Sequence, residues 1–178
     1  MANHKIVFTG PVGAGKTTAI KSLSDIAVVS TDEAASDMTR GQKANTTVAM
    51  DYGVMKISEQ ERIHLYGTPG QERFDFMWDI LTEGGIGVVL LIDNTRADPF
   101  KDMHFFLKAF SGYANGKRLV IGVTRVDKRA TPTIADYHAS LAPLGLNPPV
   151  FQIDARRRDD VATLVRALLH AIDPRLSA

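Results

Sequence analysis

The sequence predicts an α/β domain in three layers: a mostly parallel six-stranded sheet with one antiparallel hairpin at its edge and helices on both faces. Three observations predict it. Short apolar runs alternate along the chain with stretches of helical period, a glycine-rich turn joins the first run to the first helix, and one pair of runs has no helix between its members. Alternation of this kind implies a parallel sheet covered on both sides. The 178 residues suit a single hydrophobic core, so residues 1–178 read as one domain.

The first strand is Lys5 to Thr9, apolar and β-branched, and a helix begins at Lys16. From Asp25 to Asn45 the chain is polar and aperiodic, the mark of a functional or mobile loop in a compact domain. Val48 to Ile57 and Arg62 to Tyr66 flank only Ser58-Glu59-Gln60-Glu61, so they form the antiparallel hairpin. A turn centred near Glu59 sets Asp51 opposite Gly67. Three further strands follow at Ile86 to Ile92, Leu119 to Val123 and Val150 to Ile153, with helices around Lys101 to Phe110 and Ile134 to Leu141 between them. In the last helix Val161, Leu164, Val165, Leu168, Leu169 and Ile172 share one stripe, with Asp159 or Asp160 as cap and Pro174 as stop.

Composition narrows the function. The 21 basic and 20 acidic residues leave a net charge of +1, so no global field draws in nucleic acid or an anionic membrane. Without cysteine there are no disulfides, thiolate metal sites, cysteine nucleophiles or cysteine-borne lipid anchors. The N-terminus carries neither a myristoylation glycine nor an apolar signal core, and no apolar run approaches the roughly 20 residues that span a bilayer. A cytoplasmic location is expected.

Chemistry concentrates after the first strand. Gly10-Pro11-Val12-Gly13-Ala14-Gly15-Lys16-Thr17-Thr18 has the spacing of a P-loop, between a strand and a helix as that motif requires. Its glycines let backbone N–H groups turn inward around phosphate, the helix N-terminus adds partial positive charge, and Lys16 neutralises the outer phosphates. Thr17 is expected to hold Mg²⁺ through its hydroxyl. The motif indicates a nucleoside triphosphate and leaves base and reaction open.

With four further segments the chain resembles the Ras-like small GTPase superfamily over nearly its whole length. Thr46-Thr47-Val48-Ala49-Met50-Asp51 enters the hairpin where the family has its switch I threonine, matched by Thr47. Gly67-Thr68-Pro69-Gly70-Gln71-Glu72-Arg73-Phe74 resembles switch II, in which Gly70 would sense the γ-phosphate and Gln71 would orient the attacking water. Thr124-Arg125-Val126-Asp127 resembles the guanine-reading Asn-Lys-x-Asp, and Asp154-Ala155-Arg156 stands where the family has Ser-Ala-Lys. The departures are Thr124 for asparagine, Arg125 and Arg156 for lysine, and Asp154 for serine. A carboxylate such as Asp127 can accept from both N1–H and the 2-amino group of guanine; alternatively, an aspartate at a strand end caps a turn.

Gly67 stands where most of the family places the aspartate that reaches Mg²⁺ through water. Asp51, opposite it, is expected to fill the vacant space and support the metal; the alternative is a solvated carboxylate on an edge strand. Gly-Thr-Pro-Gly-Gln after Ile63-His64-Leu65-Tyr66 is most similar to the bacterial branch of MglA-like and signal recognition particle receptor β-like proteins. The resemblance implies a three-layer P-loop NTPase fold of G-domain type and a GDP/GTP switch that hydrolyses GTP slowly with Mg²⁺. It also implies a roadblock/LC7-type activator. Arg40 and Arg73 are either the internal catalytic cation or partner-facing surface residues. Phe74, Phe76, Met77 and Trp78 are either core or an interface.

Other constellations are weaker. Arg156-Arg157-Arg158 is offset by Asp159 and Asp160 and reads as a solvated loop, and the five histidines show no metal spacing. Two other functions remain open: a guanine-nucleotide-dependent binding module with little hydrolysis, suggested by Gly67, and a P-loop small-molecule kinase, which would leave Pro69-Gly70-Gln71 and Asp127 unused.

Overall fold

A computed structural model describes residues 2–30, 50–70 and 75–173. Thr47, Gln71, Arg40, Arg73 and Phe74 lie outside them. The chain runs β1 (Ala2–Thr9), α1 (Lys16–Leu23), β2 (Val29–Ser30), β3 (Asp51–Lys56), β4 (Glu61–Gly67), α2 (Phe76–Thr82) and β5 (Gly87–Asp93). It continues through α3 (Pro99–Ala109), α4 (Ser111–Asn115), β6 (Leu119–Thr124), α5 (Ile134–Leu141), a 3-10 turn (Ala142–Leu144), β7 (Val150–Gln152) and α6 (Arg158–Ile172).

The sheet has seven strands in the order β2-β3-β4-β1-β5-β6-β7. The expected parallel core and antiparallel hairpin are present, and β3 pairs with β4 in the expected register, Asp51 opposite Gly67. Two expectations need correction. There are seven strands rather than six, and the hairpin is not the edge, because Val29 and Ser30 pair with Tyr52 and Asp51 outside it. A two-residue strand has too few positions to show a period.

Both faces of the central strands are buried. Ile6, Phe8, Ile63, Leu65, Val89 and Leu91 pack against α1 and α6, whose stripe contributes Val161, Leu164, Val165, Leu168 and Leu169. On the other face Val7, Leu90, Ile92, Ile121 and Val123 meet Trp78, Met103, Phe106 and Tyr137. Each such side chain contributes about 1.5–3 kcal/mol by leaving water. Trp78 settles its own alternative: it is 3% exposed and stacks on Phe110 at 5.4 Å between centroids, so it is core.

Helix ends follow local chemistry. Thr133 and Asp136 form a reciprocal capping box at α5. Helix α6 is capped earlier than expected: Arg157, two residues before Asp159, is its N-cap without a side-chain bond, while Asp159 and Asp160 sit in the first turn, where their charge complements the helix dipole. The carboxyl ends of β1, β5 and β6 bring Thr9, Asp93 and Thr124 to one rim of the sheet, and open α/β sheets bind ligands at such rims.

Candidate functional site: a phosphate cradle and an adjoining base cavity

The cradle starts with a turn only glycine can make. Gly10 has φ 139°, and a Cβ there would lie 2.1 Å from the Leu91 carbonyl oxygen on neighbouring β5. Gly13 and Gly15 also have positive φ, and Gly15 caps α1, leaving the helix N-terminus open to anions. Lys16 lies on the first turn, 9% exposed, and its Nζ donates to the carbonyls of Gly10 at 2.7 Å and Pro11 at 2.8 Å. The loop therefore wraps its own cation.

Burial lowers the Lys16 pKa to about 8, and the Asp51 carboxylate only partly offsets this. An arriving phosphate favours the ammonium and raises that pKa again. Below about pH 8 Lys16 is already charged and binding needs no proton; above it each nucleotide brings one in, and affinity falls by up to tenfold per pH unit. Calorimetry in buffers of different ionisation enthalpy is expected to find most of a proton taken up at about pH 8.5 and close to none at about pH 6.5.

Asp51 and Thr17 meet beside Lys16. The Thr17 hydroxyl donates to Asp51 Oδ2 at 2.5 Å. Across the hairpin a Cβ on Gly67 would stand 3.1 Å from Asp51 Oδ2 and 3.1 Å from Ile20 Cδ1. The side-chain space of Gly67 is thus occupied by Asp51, which is 8% exposed rather than a solvated edge residue. Hydroxyl and carboxylate oxygens are the hard donors Mg²⁺ takes, and that ion usually needs only one or two protein ligands beside phosphate. The pair fits such an ion.

Gly70 leans on the cradle. A Cβ there would lie 2.5 Å from the Val12 nitrogen and 2.8 Å from Lys16 Nζ, so the close approach requires glycine. Trp78 Nε1 donates to the Pro69 carbonyl at 3.1 Å and Thr68 Oγ1 to Thr9 Oγ1 at 2.9 Å, which tie this segment to core and sheet.

A cavity of about 200 Å³ adjoins the cradle, lined among others by Thr18, Thr124, Arg125, Asp127, Ala155 and Arg156. The fold thus gathers residues more than a hundred positions apart. Buried Thr124 donates from Oγ1 to the Ala14 carbonyl at 2.9 Å, joining the end of β6 to the glycine-rich loop. Among the described residues the Asp127 carboxylate has no hydrogen-bond partner. Asp154 holds Arg156 through a bond of 2.7 Å to Nη2, and these bonds pull its carboxyl pKa down to about 2. The Asp154 N–H donates to Asp160 Oδ2 at 2.8 Å, pinning the turn that carries Ala155 to α6.

Sequence reasoning missed Asp93 and Lys128. Lys128 lines the cavity one residue after the recognised motif, and Asp93, which ends an apolar strand, pairs with Arg125. A carboxylate closing a fully buried strand was the available signal.

Strand order and glycine-rich loop define an α/β protein of the P-loop NTPase fold, with a cavity beside the loop. The chain belongs to the family described as conserved hypothetical ATP binding protein, which it matches over residues 26–173, beyond the phosphate loop. An uncharacterized protein of Methanocaldococcus jannaschii, MJ1339, is 30% identical over 92 residues, 52% of this chain and 52% of that protein. The Ras-related protein SEC4 of Saccharomyces cerevisiae is 24% identical over 138 residues, 75% of this chain and 63% of SEC4. Human Ras-related protein Rab-12 is 24% identical over 114 residues, 62% of this chain and 42% of its own length. The chain spans less than two thirds of each of these relatives. Among the described residues no helix is long and apolar enough to cross a membrane.

Proposed function

We propose that this chain is a guanine-nucleotide switch that hydrolyses GTP slowly and passes its state to a protein partner. The observation that carries the reading is the Asp127 carboxylate, which makes no hydrogen bond among the described residues and has the Arg156 guanidinium as a neighbouring charge, in a cavity continuous with the phosphate loop. Guanine offers two donors to such a carboxylate, whereas adenine turns its N1 lone pair toward the same place. The family description names ATP; Asp127 favours GTP. The Ala155 N–H is suited to the guanine oxygen, and the stems of Arg125 and Arg156 to the faces of the ring.

Lys16 and the inward N–H groups hold the phosphates and draw charge from the terminal one. Thr17 and Asp51 would hold Mg²⁺, with Thr47 of switch I as the third protein ligand of the proposal. When bound, the ion neutralises charge that develops on the phosphoryl oxygens. Asp51→Ala is expected to raise the Mg²⁺ concentration needed for half-maximal GTP binding by about tenfold or more while leaving Mg-free GDP binding nearly unchanged. A metal titration of the two proteins checks it.

Gly70 touches the cradle beside Lys16, so an added terminal phosphate acts directly on the segment leading to Gln71. Gln71 orients the attacking water in this reading, and loss of the phosphate releases the segment. Sites of this kind are slow without an arginine, which is worth about 10³–10⁵ in rate. A roadblock/LC7-type partner is proposed as the activator, with the chain placed in the bacterial MglA-like branch. A cytoplasmic location completes the proposal. Gly67, with no acid of its own, favours a second reading, a nucleotide-dependent binding module without useful hydrolysis. Single-turnover GTP hydrolysis decides: the switch reading expects measurable turnover that Gln71→Ala reduces at least about tenfold, and equal, negligible rates in both proteins leave the binding module.

A further inference from the structure

Behind the base cavity, the end of β5 carries a device that the nucleotide motifs do not contain. Asp93 is 4% exposed, and its Oδ1 accepts from Thr95 N at 2.8 Å and Thr95 Oγ1 at 2.6 Å. Its Oδ2 accepts from Arg125 Nη1 at 2.8 Å. A carboxylate this buried is tolerable only when paired, and Arg125 is its cation. Arg125 in turn stands in a left-handed backbone conformation, φ 60°, which an L side chain other than asparagine or aspartate rarely adopts. Its carbonyl accepts from the N–H groups of Lys128 and Arg129, at 3.0 and 3.1 Å. Next to Asp93, buried Asn94 donates from Nδ2 to the carbonyls of Arg129 at 2.7 Å and Pro132 at 3.1 Å, and it accepts from the Tyr137 hydroxyl at 2.8 Å. The loop from Arg125 to Pro132 is therefore anchored at both ends, by Asp93 at the close of β5 and by Asn94 just after it, and its first anchor is an ion pair to a residue that lines the cavity.

We propose that Asp93 is a positioning residue of the base site: it holds the Arg125 guanidinium against the end of β5, so that the arginine's aliphatic stem forms a fixed wall for the purine. The geometry explains how an arginine serves at this place. A free guanidinium would sample many rotamers over the cavity; clamped at Nη1, it leaves only its stem beside the base. Among the described residues Arg125 is the cavity-lining side chain that Asp93 bonds, so the lock acts on the base rather than on the phosphates. The inference rests on the proposal that a nucleotide base fills this cavity, and the test separates the two.

Equilibrium and stopped-flow binding of GDP, ADP and inorganic pyrophosphate are measured for the full chain and for Asp93→Asn, Arg125→Gln and the double variant. Asp93→Asn is expected to release GDP about tenfold faster while pyrophosphate affinity stays within about twofold. In the Arg125→Gln background the same change is expected to have no further effect, since the group it positions is gone. The inference is overturned by unchanged GDP release in Asp93→Asn, by an equal loss of pyrophosphate, or by an undiminished effect in the Arg125→Gln background. Should Asp93→Asn not fold, Asp93→Glu, which moves the charge by one methylene, carries the same expectations and the same refutations. A wild-type protein that binds pyrophosphate but prefers neither diphosphate to it refutes occupation of the cavity by a base; preference for ADP refutes guanine alone and leaves the lock testable with ADP.

Discussion

Lys16→Ala is expected to lower affinity for GTP and GDP by about 10²–10³-fold, or roughly 3–4 kcal/mol, as when one partner of a buried charge contact is removed. The loss follows from geometry already present without a ligand. Nζ sits on the carbonyls of Gly10 and Pro11 at the mouth of the cradle, nearly enclosed, where a phosphate replaces water at low local dielectric. The remaining N–H groups cannot supply a full charge. Stability without nucleotide is expected to change little. Depression of the lysine pKa to about 8 implies that burying the ammonium costs about 3 kcal/mol at neutral pH, and deleting it removes that cost along with two hydrogen bonds and some packing. Because the folded pKa lies below the unfolded one, this destabilisation is present below pH 8 and fades as pH rises towards the unfolded value. Calorimetric binding and thermal unfolding together check the prediction: retained tight binding would refute the role of the cation, and a collapsed fold would refute the stability argument.

Asp127→Asn is expected to weaken GTP about 10²-fold and to erase most preference for GTP over ATP. The carboxylate can accept twice from guanine, and a carboxamide of the same shape replaces one acceptor with a donor that meets the donors of the base. Sites that hydrogen-bond a substrate group discriminate strongly, because mismatched polar atoms are left unpaired in a confined cavity. The variant should keep its fold, since Asp127 is exposed and has no hydrogen-bond partner among the described residues. Competition between GTP and ATP on both proteins is the measurement. Wild-type binding of ATP as tight as GTP would return the base choice to what the family description says.

Much of this site was legible along the chain, for a specific reason. The P-loop is local: strand, glycines, Lys16 and Thr17 are consecutive, so sequence order equals spatial order. The hairpin is nearly local, and its short turn set the register that puts Asp51 opposite Gly67. The α6 stripe was readable because six apolar residues keep one period. Less was readable where contacts are distant. Val29 and Ser30 become a strand only because β3 offers them an edge, and Phe76–Thr82 becomes a helix whose Trp78 is buried against Phe106 and Phe110. The cap of α6 lies at Arg157, two or three residues before the acidic pair that the sequence offers for it, because acidic residues serve equally well in the first turn.

By itself the sequence determined the phosphate-binding loop, the alternation of strands and helices, and the absence of thiol chemistry, since each depends on residues adjacent in the chain or on composition. Only the tertiary structure decided that Asp51 bonds Thr17, that Gly70 rests on the cradle, and that Asp93 clamps Arg125. Those contacts join residues 32 or more positions apart. Distances of a few ångströms between such residues exist only once the core has fixed the strand order, and side-chain chemistry alone carries no record of them.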